Sequence, residues 1–221
     1  MIKGIRNNLD LKICGITSSK SIKIAANNNI GSLGFASNNL LGPNTCNDKK
    51  IKNLIKECNY YKIDSILLTR HQKKDELIKQ IDFIKPKTIS CSYHYKNHEL
   101  KTIKAIFKKL KIGVAINPEN FNKKYIKSIK NSVDVIYYDL NVYKKNRIKK
   151  HPLAKSLKQI TFIKKLSIPI YIGGGIDQDN VEKIIKTINP YGLDVSRSLK
   201  NNSNTISINK LKTFLNKISV A

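Results

Sequence analysis

Cys14 stands at the end of the apolar run Leu11-Lys12-Ile13, directly ahead of Gly15 and the turn that follows. A thiol at a strand end, near the first turn of a helix and in a strongly cationic chain, sits where its thiolate is favoured, and a thiolate is a nucleophile or a base. A cysteine at a strand end is also a small buried hydrophobe in many folds, and the residue alone leaves both roles open. Asp139 closes a second apolar run, Val135-Ile136-Tyr137-Tyr138. A carboxyl group directly after such a run is partly desolvated, which raises its pKa and suits it to donate a proton. The plainer alternative is a loop aspartate that caps a backbone amide, the role expected of Asp134 at the other end of the same run. Gly173-Gly174-Gly175-Ile176-Asp177 then joins a strand to a helix. Glycines there let backbone amides approach a phosphate closely, and the helix N-terminus adds a favourable dipole. Asp177 and Asp179 fit the first turn of that helix as caps. In Asp194-Val195-Ser196-Arg197-Ser198, two hydroxyls and a cation are available to the same phosphate.

Those residues lie far apart in the chain, so the fold has to bring them together. Short β-branched runs alternate with longer helical stretches throughout. The spacing predicts strands over Leu11–Cys14, Ser32–Phe35, Asp64–Thr69, Thr88–Ser92, Gly113–Ile116, Val133–Tyr138, Ile168–Ile172 and Leu193–Ser196. Between and after them it predicts helices over Ser18–Asn28, Asp48–Tyr60, Lys73–Ile84, Glu99–Leu110, Asn122–Lys130, Leu153–Leu166, Val181–Ile188 and Ile208–Ile218. Thr17 or Ser18 serves as the first N-cap. Unbroken Val/Ile/Leu runs are the mark of buried parallel strands. About eight such units form a single-domain (β/α)8 TIM barrel over 1–221, with an open doubly wound sheet as the alternative. In a barrel, chemistry sits at the C-terminal strand ends, and Cys14, Asp139, Gly173–Gly175 and Asp194–Ser198 all fall there.

The totals exclude several classes. The 221 residues, 40% of them hydrophobic, suit one globular core. No stretch reaches the ~20 apolar residues of a membrane helix, and Met1 to Asp10 lacks the apolar centre of a signal peptide. A cytoplasmic location, away from the membrane, is therefore expected. Cys14, Cys46, Cys58 and Cys91 have neither metal-ligand nor disulfide-scaffold spacing and are expected as free thiols. His71, His94, His98 and His151 have no ligand spacing either, so no metal is assigned. The formal charge of +27 is compatible with a polyanion partner. Yet the lysines are spread over helix surfaces, and Lys, Asn and Ile are abundant as in AT-rich coding. The dense runs Lys49–Lys52 and Lys144–Lys150 carry no interleaved stacking aromatics. The charge therefore reads as a solvated surface that attracts a small anionic substrate, and nucleic acid is not expected as a partner.

Taken together, Lys12-Ile13-Cys14-Gly15-Ile16-Thr17, Leu33-Gly34-Phe35, Gly174-Gly175-Ile176 with Asn180-Val181, and Gly192-Leu193-Asp194-Val195-Ser196 resemble the phosphoribosylanthranilate isomerase family. The resemblance implies a (β/α)8 barrel of tryptophan biosynthesis that performs an Amadori rearrangement of a phosphorylated small molecule without a cofactor. It implies Asp139 as general acid and Cys14 as general base. Gly174, Gly175, Ser196, Arg197 and Ser198 then fall to the phosphate, and Asp194 to the anthranilate end. Monomers and homodimers are both compatible with it. The chain departs from the family pattern at four places. Asn44 follows Pro43 where the family has an arginine facing the anthranilate carboxylate, and Ser90-Cys91-Ser92-Tyr93 replaces Gln-Leu-His-Gly. Asn141-Val142-Tyr143-Lys144-Lys145 replaces a glycine-rich loop, so that residues 141–150 are a candidate lid. Ser196-Arg197-Ser198-Leu199-Lys200 replaces Ser-Ser-Gly-Val-Glu. A related sugar-phosphate isomerase with another substrate and a non-catalytic basic barrel are the alternatives.

Overall fold

The computed structural model describes residues 9–40, 42, 44–144, 147–150 and 152–221. Pro43, His151 and the first eight residues, with the N-terminal reading made on them, lie outside the described residues. Short runs rich in Ile, Leu and Val become parallel strands: β1 (Asp10–Ile13), β2 (Ser32–Ser37), β3 (Thr45–Cys46), β4 (Asp64–Thr69), β5 (Thr88–Cys91), β6 (Lys111–Ile116) and β7 (Val135–Asp139). A hairpin follows, β8 (Asn141–Lys144) with β9 (Arg147–Lys150), and then β10 (Ile170–Gly173) and β11 (Gly192–Val195). The strand order is β1-β11-β10-β7-β6-β5-β4-β2, and a direct β1–β2 pairing closes the ring. The last strand thus lies beside the first, with Lys12 opposite Asp194 and Ile13 opposite Val195. β3 attaches to the edge of β2 outside that ring. The barrel expected from the sequence is the one observed.

Among the described residues, eight α-helices surround it: α1 (Ser19–Asn27), α2 (Asp48–Tyr60), α3 (Lys74–Ile84), α4 (Asn97–Ile106), α5 (Lys123–Ile129), α6 (Leu153–Lys164), α7 (Val181–Ile188) and α8 (Ile208–Ser219). Each turns one stripe inward. In α7 that stripe is Val181, Ile184, Ile185 and Ile188, the i, i+3, i+4, i+7 set of a single helix face. Ser18, Asn47, Asn122 and Ser207 begin α1, α2, α5 and α8 by accepting from the amide three residues on. None of the described helices is long and apolar enough to cross a membrane.

Boundaries shift where a polar group intervenes. Asp134 leaves β7 because its carboxylate accepts the Ile112 amide at 2.7 Å and pairs with Lys104 at 2.9 Å. It is the structural aspartate the sequence implies. β10 starts only at Ile170, because Pro169 has no N–H to donate to a ladder. α4 stops at Ile106, three residues before the run Leu110-Lys111 turns into strand. The β8–β9 hairpin was not legible, because a lysine-rich stretch hides its alternation; Val142 is nevertheless buried.

Strand alternation gives the barrel two separate cores. Outward residues such as Ile13, Leu33, Ile112 and Leu193 pack against the helices. Inside, Tyr137 and Tyr171 fill the barrel with Ile66 and Val135. The two rings lie where their neighbours have no side chain. A Cβ on Gly113 would stand 2.5 Å from the Tyr137 ring, and one on Gly192 would stand 2.5 Å from the Tyr171 ring. Overpacking of this kind costs about 1–3 kcal/mol. Gly113→Ala and Gly192→Ala are each expected to lower the unfolding free energy by about that amount in urea titrations. Gly31→Ala, whose nearest neighbour is an Asp10 oxygen at 3.5 Å, is expected to stay within about 0.5 kcal/mol.

Candidate active site

Inward alternation on β1 points Lys12 into the barrel, and Cys14, two residues on, to its mouth. The amide of Cys14 donates to the Val195 carbonyl at 2.8 Å, and the Cys14 carbonyl accepts the Ser196 hydroxyl at 3.1 Å. The chain turns away at Gly15, which is left-handed with φ +71°. Gly34 on β2 keeps the thiol's space open: a Cβ there would stand 3.0 Å from Cys14 Sγ and 3.0 Å from Lys12 Cε.

Below the thiol, Lys12 is fully buried and its Nζ lies 2.6 Å from Asp194 Oδ2. The same ammonium lies over the Tyr137 ring, 4.6 Å from its centroid. Burial would lower the Lys12 pKa, but the charges of Asp194, Cys14 and Tyr137 and the hydrogen bond to Asp194 together outweigh it, and the net shift is upward. The other oxygen of Asp194, Oδ1, is buried and meets no donor among the described residues. Burial pushes the Cys14 thiol up. Lys12 opposes that shift, Asp194 adds to it, and Lys200 and the Gly15 amide oppose it.

Across the mouth, Asp139 ends β7 in register with Gly173 on β10, which is in turn opposite Asp194 on β11. One lateral row therefore runs Asp139, Gly173, Asp194, Lys12. Asp139 Oδ1 accepts the Asn141 amide at 2.9 Å. Gly174, at φ +93°, packs its α-carbon onto that carboxylate so closely that a Cβ would collide with it. Gly175 is also left-handed, with φ +71°. Its carbonyl accepts Asn180 Nδ2 at 2.9 Å, and Asp177 Oδ1 accepts the Asp179 and Asn180 amides in the turn ahead of α7, whose N-cap is Asn180, so neither aspartate lies in the helix's first turn as expected. Ser198 Oγ donates to the Ile176 carbonyl at 2.7 Å, tying the glycine turn to the 3₁₀ turn Arg197–Leu199. Arg197 is exposed beside it. All eight residues singled out in the sequence thus lie on one rim of the barrel. Among the described residues, no group of three His, Cys, Asp or Glu side chains is placed to hold a metal.

Residues 11–217 match the family model for N-(5'-phosphoribosyl)anthranilate isomerase. The chain belongs to that family. Curated relatives of the same name are 35% identical over 54 residues in Thermoanaerobacter sp. (strain X514), covering 24% of this chain and 26% of the relative. In Methanocaldococcus jannaschii the identity is 33% over 90 residues, covering 40% of this chain and 38% of the relative. The match thus spans about a quarter to two fifths of the length of these two relatives. The fold extends further than the sequence match. The Pyrococcus furiosus isomerase structure aligns with TM-score 0.76 at 18% identity, over 96% of this chain and 100% of that one. An isomerase solved in complex with reduced 1-(o-carboxyphenylamino)-1-deoxyribulose 5-phosphate aligns with TM-score 0.73 at 12% identity, over 96% and 100%.

Sequence reasoning gave no role to three residues of this family member's mouth. Lys12 was discoverable, because a period of two from an inward Cys14 makes Lys12 inward as well. Asn141 opens β8 just past Asp139, and Lys200 carried no such signal, since a 3₁₀ turn and a bridge to Ile206 return it to the site. The buried Lys12–Asp194 pair yields a stability prediction. Asp194→Asn leaves an ammonium buried without its counter-ion and is expected to cost about 3–5 kcal/mol in urea titrations at pH 7. The folded pKa of Lys12 is raised above its ordinary 10.5. The pair's contribution is therefore full below that value and is lost only as pH rises through the higher folded one. The difference between wild type and Asp194→Asn should accordingly stay flat from about pH 6 to 9 on this account.

Proposed function

We propose that this chain is a phosphoribosylanthranilate isomerase working as one barrel unit, and that Asp139 and Cys14 are its acid and base. The observation that carries the proposal is their placement. Asp139 ends β7 and Cys14 follows β1, three strands apart in the ring, so that both stand at the same mouth of the barrel. The left-handed turn Gly174–Gly175 and the serines of the next strand end lie between them. A neighbour of the same fold was solved with a reduced carboxyphenylamino-deoxyribulose phosphate, the product class this reaction would give.

In the proposed reaction Asp139 protonates the ribose ring oxygen of N-(5'-phosphoribosyl)anthranilate. The C1–O bond breaks, and the nitrogen lone pair forms a C1=N double bond. Cys14, as thiolate, removes the C2 proton; the C–H electrons form C1=C2 and neutralise the nitrogen. The enolamine then takes a proton at C1 and releases one from the C2 hydroxyl, leaving a C2 ketone. Hydrogen moves from C2 to C1 and nothing is gained or lost, so no redox partner is required. The 5'-phosphate is held by Gly174, Gly175 and the Ser196–Ser198 segment, where Arg197 adds a cation at the rim. Asp194 Oδ1 accepts the anthranilate N–H, which would give that buried oxygen its donor.

Both steps depend on proton transfer by a positioned side chain, worth about 10²–10⁴-fold each. Cys14→Ala and Asp139→Asn are therefore each expected to lower kcat by about that factor in a coupled assay, with KM changed far less. The wild-type gene should rescue an isomerase-deficient tryptophan auxotroph, and neither variant should. A folded wild-type protein that neither rescues growth nor turns over substrate would falsify the proposal. The reactive form needs Asp139 protonated and Cys14 ionised at once, so with burial raising the Cys14 pKa above its ordinary 9, kcat/KM is expected to level off before the thiol's folded value and to fall above it in a measured pH profile.

A further inference from the structure

Of the many lysines in this chain, the described structure buries two, Lys12 and Lys200. Both approach Cys14. Lys12 is already matched by Asp194 at 2.6 Å. Lys200 is 4% exposed and makes no ion pair with a carboxylate among the described residues. Its ammonium donates instead to the Gly15 carbonyl, one residue beyond Cys14.

The backbone holds Lys200 firmly in that position. Its amide donates to the Arg197 carbonyl at 3.1 Å, its own carbonyl accepts Lys210 Nζ at 2.8 Å, and it bridges to Ile206. Gly15 shows how close the approach is. A Cβ there would stand 3.0 Å from Lys200 Nζ and 3.3 Å from Asn44 Cβ, so no side chain fits between them. A charge taken that far out of water needs an opposite one, and a carbonyl dipole supplies only part of it. The groups facing Cys14 are Lys12 and Asp194, which neutralise each other, the Gly15 amide, and Lys200. With the first two spent on each other, the anion left to answer Lys200 is the thiolate of Cys14.

We propose that Lys200 is a positioning residue for Cys14, fixing the Cys14-Gly15 turn through the Gly15 carbonyl and supplying the positive charge that holds the thiolate. This rests on the reading of Cys14 as the base, but the interaction exists without substrate. Burial lowers the Lys200 pKa to about 8 and Cys14 partly restores it, so the two groups lose protons as a coupled pair.

The test reads the thiol directly and needs no turnover. Iodoacetamide alkylates the thiolate: a C–S bond forms, iodide leaves, and the rate follows the thiolate fraction. The rate at the Cys14 peptide is measured by mass spectrometry against pH in the wild type, Lys200→Met and Lys200→Arg. Removing one opposite charge is expected to raise the Cys14 midpoint in Lys200→Met, slowing alkylation about tenfold at pH 7, where the Lys200 ammonium is still charged. Lys200→Arg should keep the midpoint near the wild-type value. An unchanged midpoint in a folded Lys200→Met protein would show that Lys200 is only a structural tie and would overturn the proposal. Should Lys200→Met fail to fold, the reciprocal measurement decides. In ¹³Cε-lysine NMR the low-titrating lysine should fall further in Cys14→Ala, because the thiolate that raised it is gone. No movement of that resonance would overturn the proposal equally. Loss of isomerase activity alone, with both titrations as expected, would count against the assigned reaction and leave the Lys200–Cys14 coupling standing.

Discussion

The ion pair between Lys12 and Asp194 joins the first strand of the chain to the last. Its 2.6 Å contact lies at the β1–β11 seam, where the two residues are also in lateral register. A parallel barrel closes only if its last strand finds the first in one register among several. A one-residue slip would turn every inward side chain outward. Here a slip would leave a fully buried ammonium facing the helix layer, a cost of several kcal/mol that no hydrophobic contact offsets. The pair therefore selects the register at the closure, and that register sets Cys14 beside Val195 and Ser196. In this way a buried charge pair, weak as net stabilisation, provides specificity.

The interior above and below that pair is divided by side-chain size. Tyr137 and Tyr171 plug the lower barrel, with the Tyr171 hydroxyl donating to Asp10. Their rings occupy the space over Gly113 and Gly192. Toward the mouth the inward residues become small: Gly34, Ala36, Ala115 and Gly173. The same glycine-for-space exchange thus does opposite work at the two levels, admitting large rings below and leaving room for a thiol above. Leu68 also reaches in beside Gly34, and Cys14, Asp139 and Asp194 carry polar groups at this level. Tyr137 also lies directly against the pair, its ring 4.6 Å from Lys12 Nζ.

Much of this was legible from residue order. The runs Ser-Ile-Leu-Leu at 65–68 and Val-Ile-Tyr-Tyr at 135–138 could hardly be other than buried strands, and their spacing set the barrel. Cys14, Asp139 and the triple glycine declared themselves because each interrupts an apolar run at its C-terminal end. What stayed hidden was contact made by return. Lys200 reads in sequence as one more lysine among dozens, and only the 3₁₀ turn before it and the bridge to Ile206 aim it inward. The β8–β9 hairpin was hidden for a related reason, since consecutive lysines carry no apolar period. The serines at 196 and 198 were found as hydroxyls near the phosphate turn. Their hydrogen bonds to the Cys14 and Ile176 carbonyls, which bind the two halves of the rim together, follow from geometry alone.

The charge of +27 takes on a different meaning in that light. Exposed lysines on helix faces are screened within about 10 Å at 0.1 M salt and act together only as a diffuse attraction for an anionic ligand. Exchange among them would alter that attraction little. The two buried lysines are a different kind of charge, because the low-dielectric interior leaves each with few groups to act on. One is committed to Asp194 and to barrel closure, and the other faces the turn that carries the thiol. Lys200 and Asn44 meet across Gly15, where a Cβ would touch both, so this second buried cation stands at the turn itself.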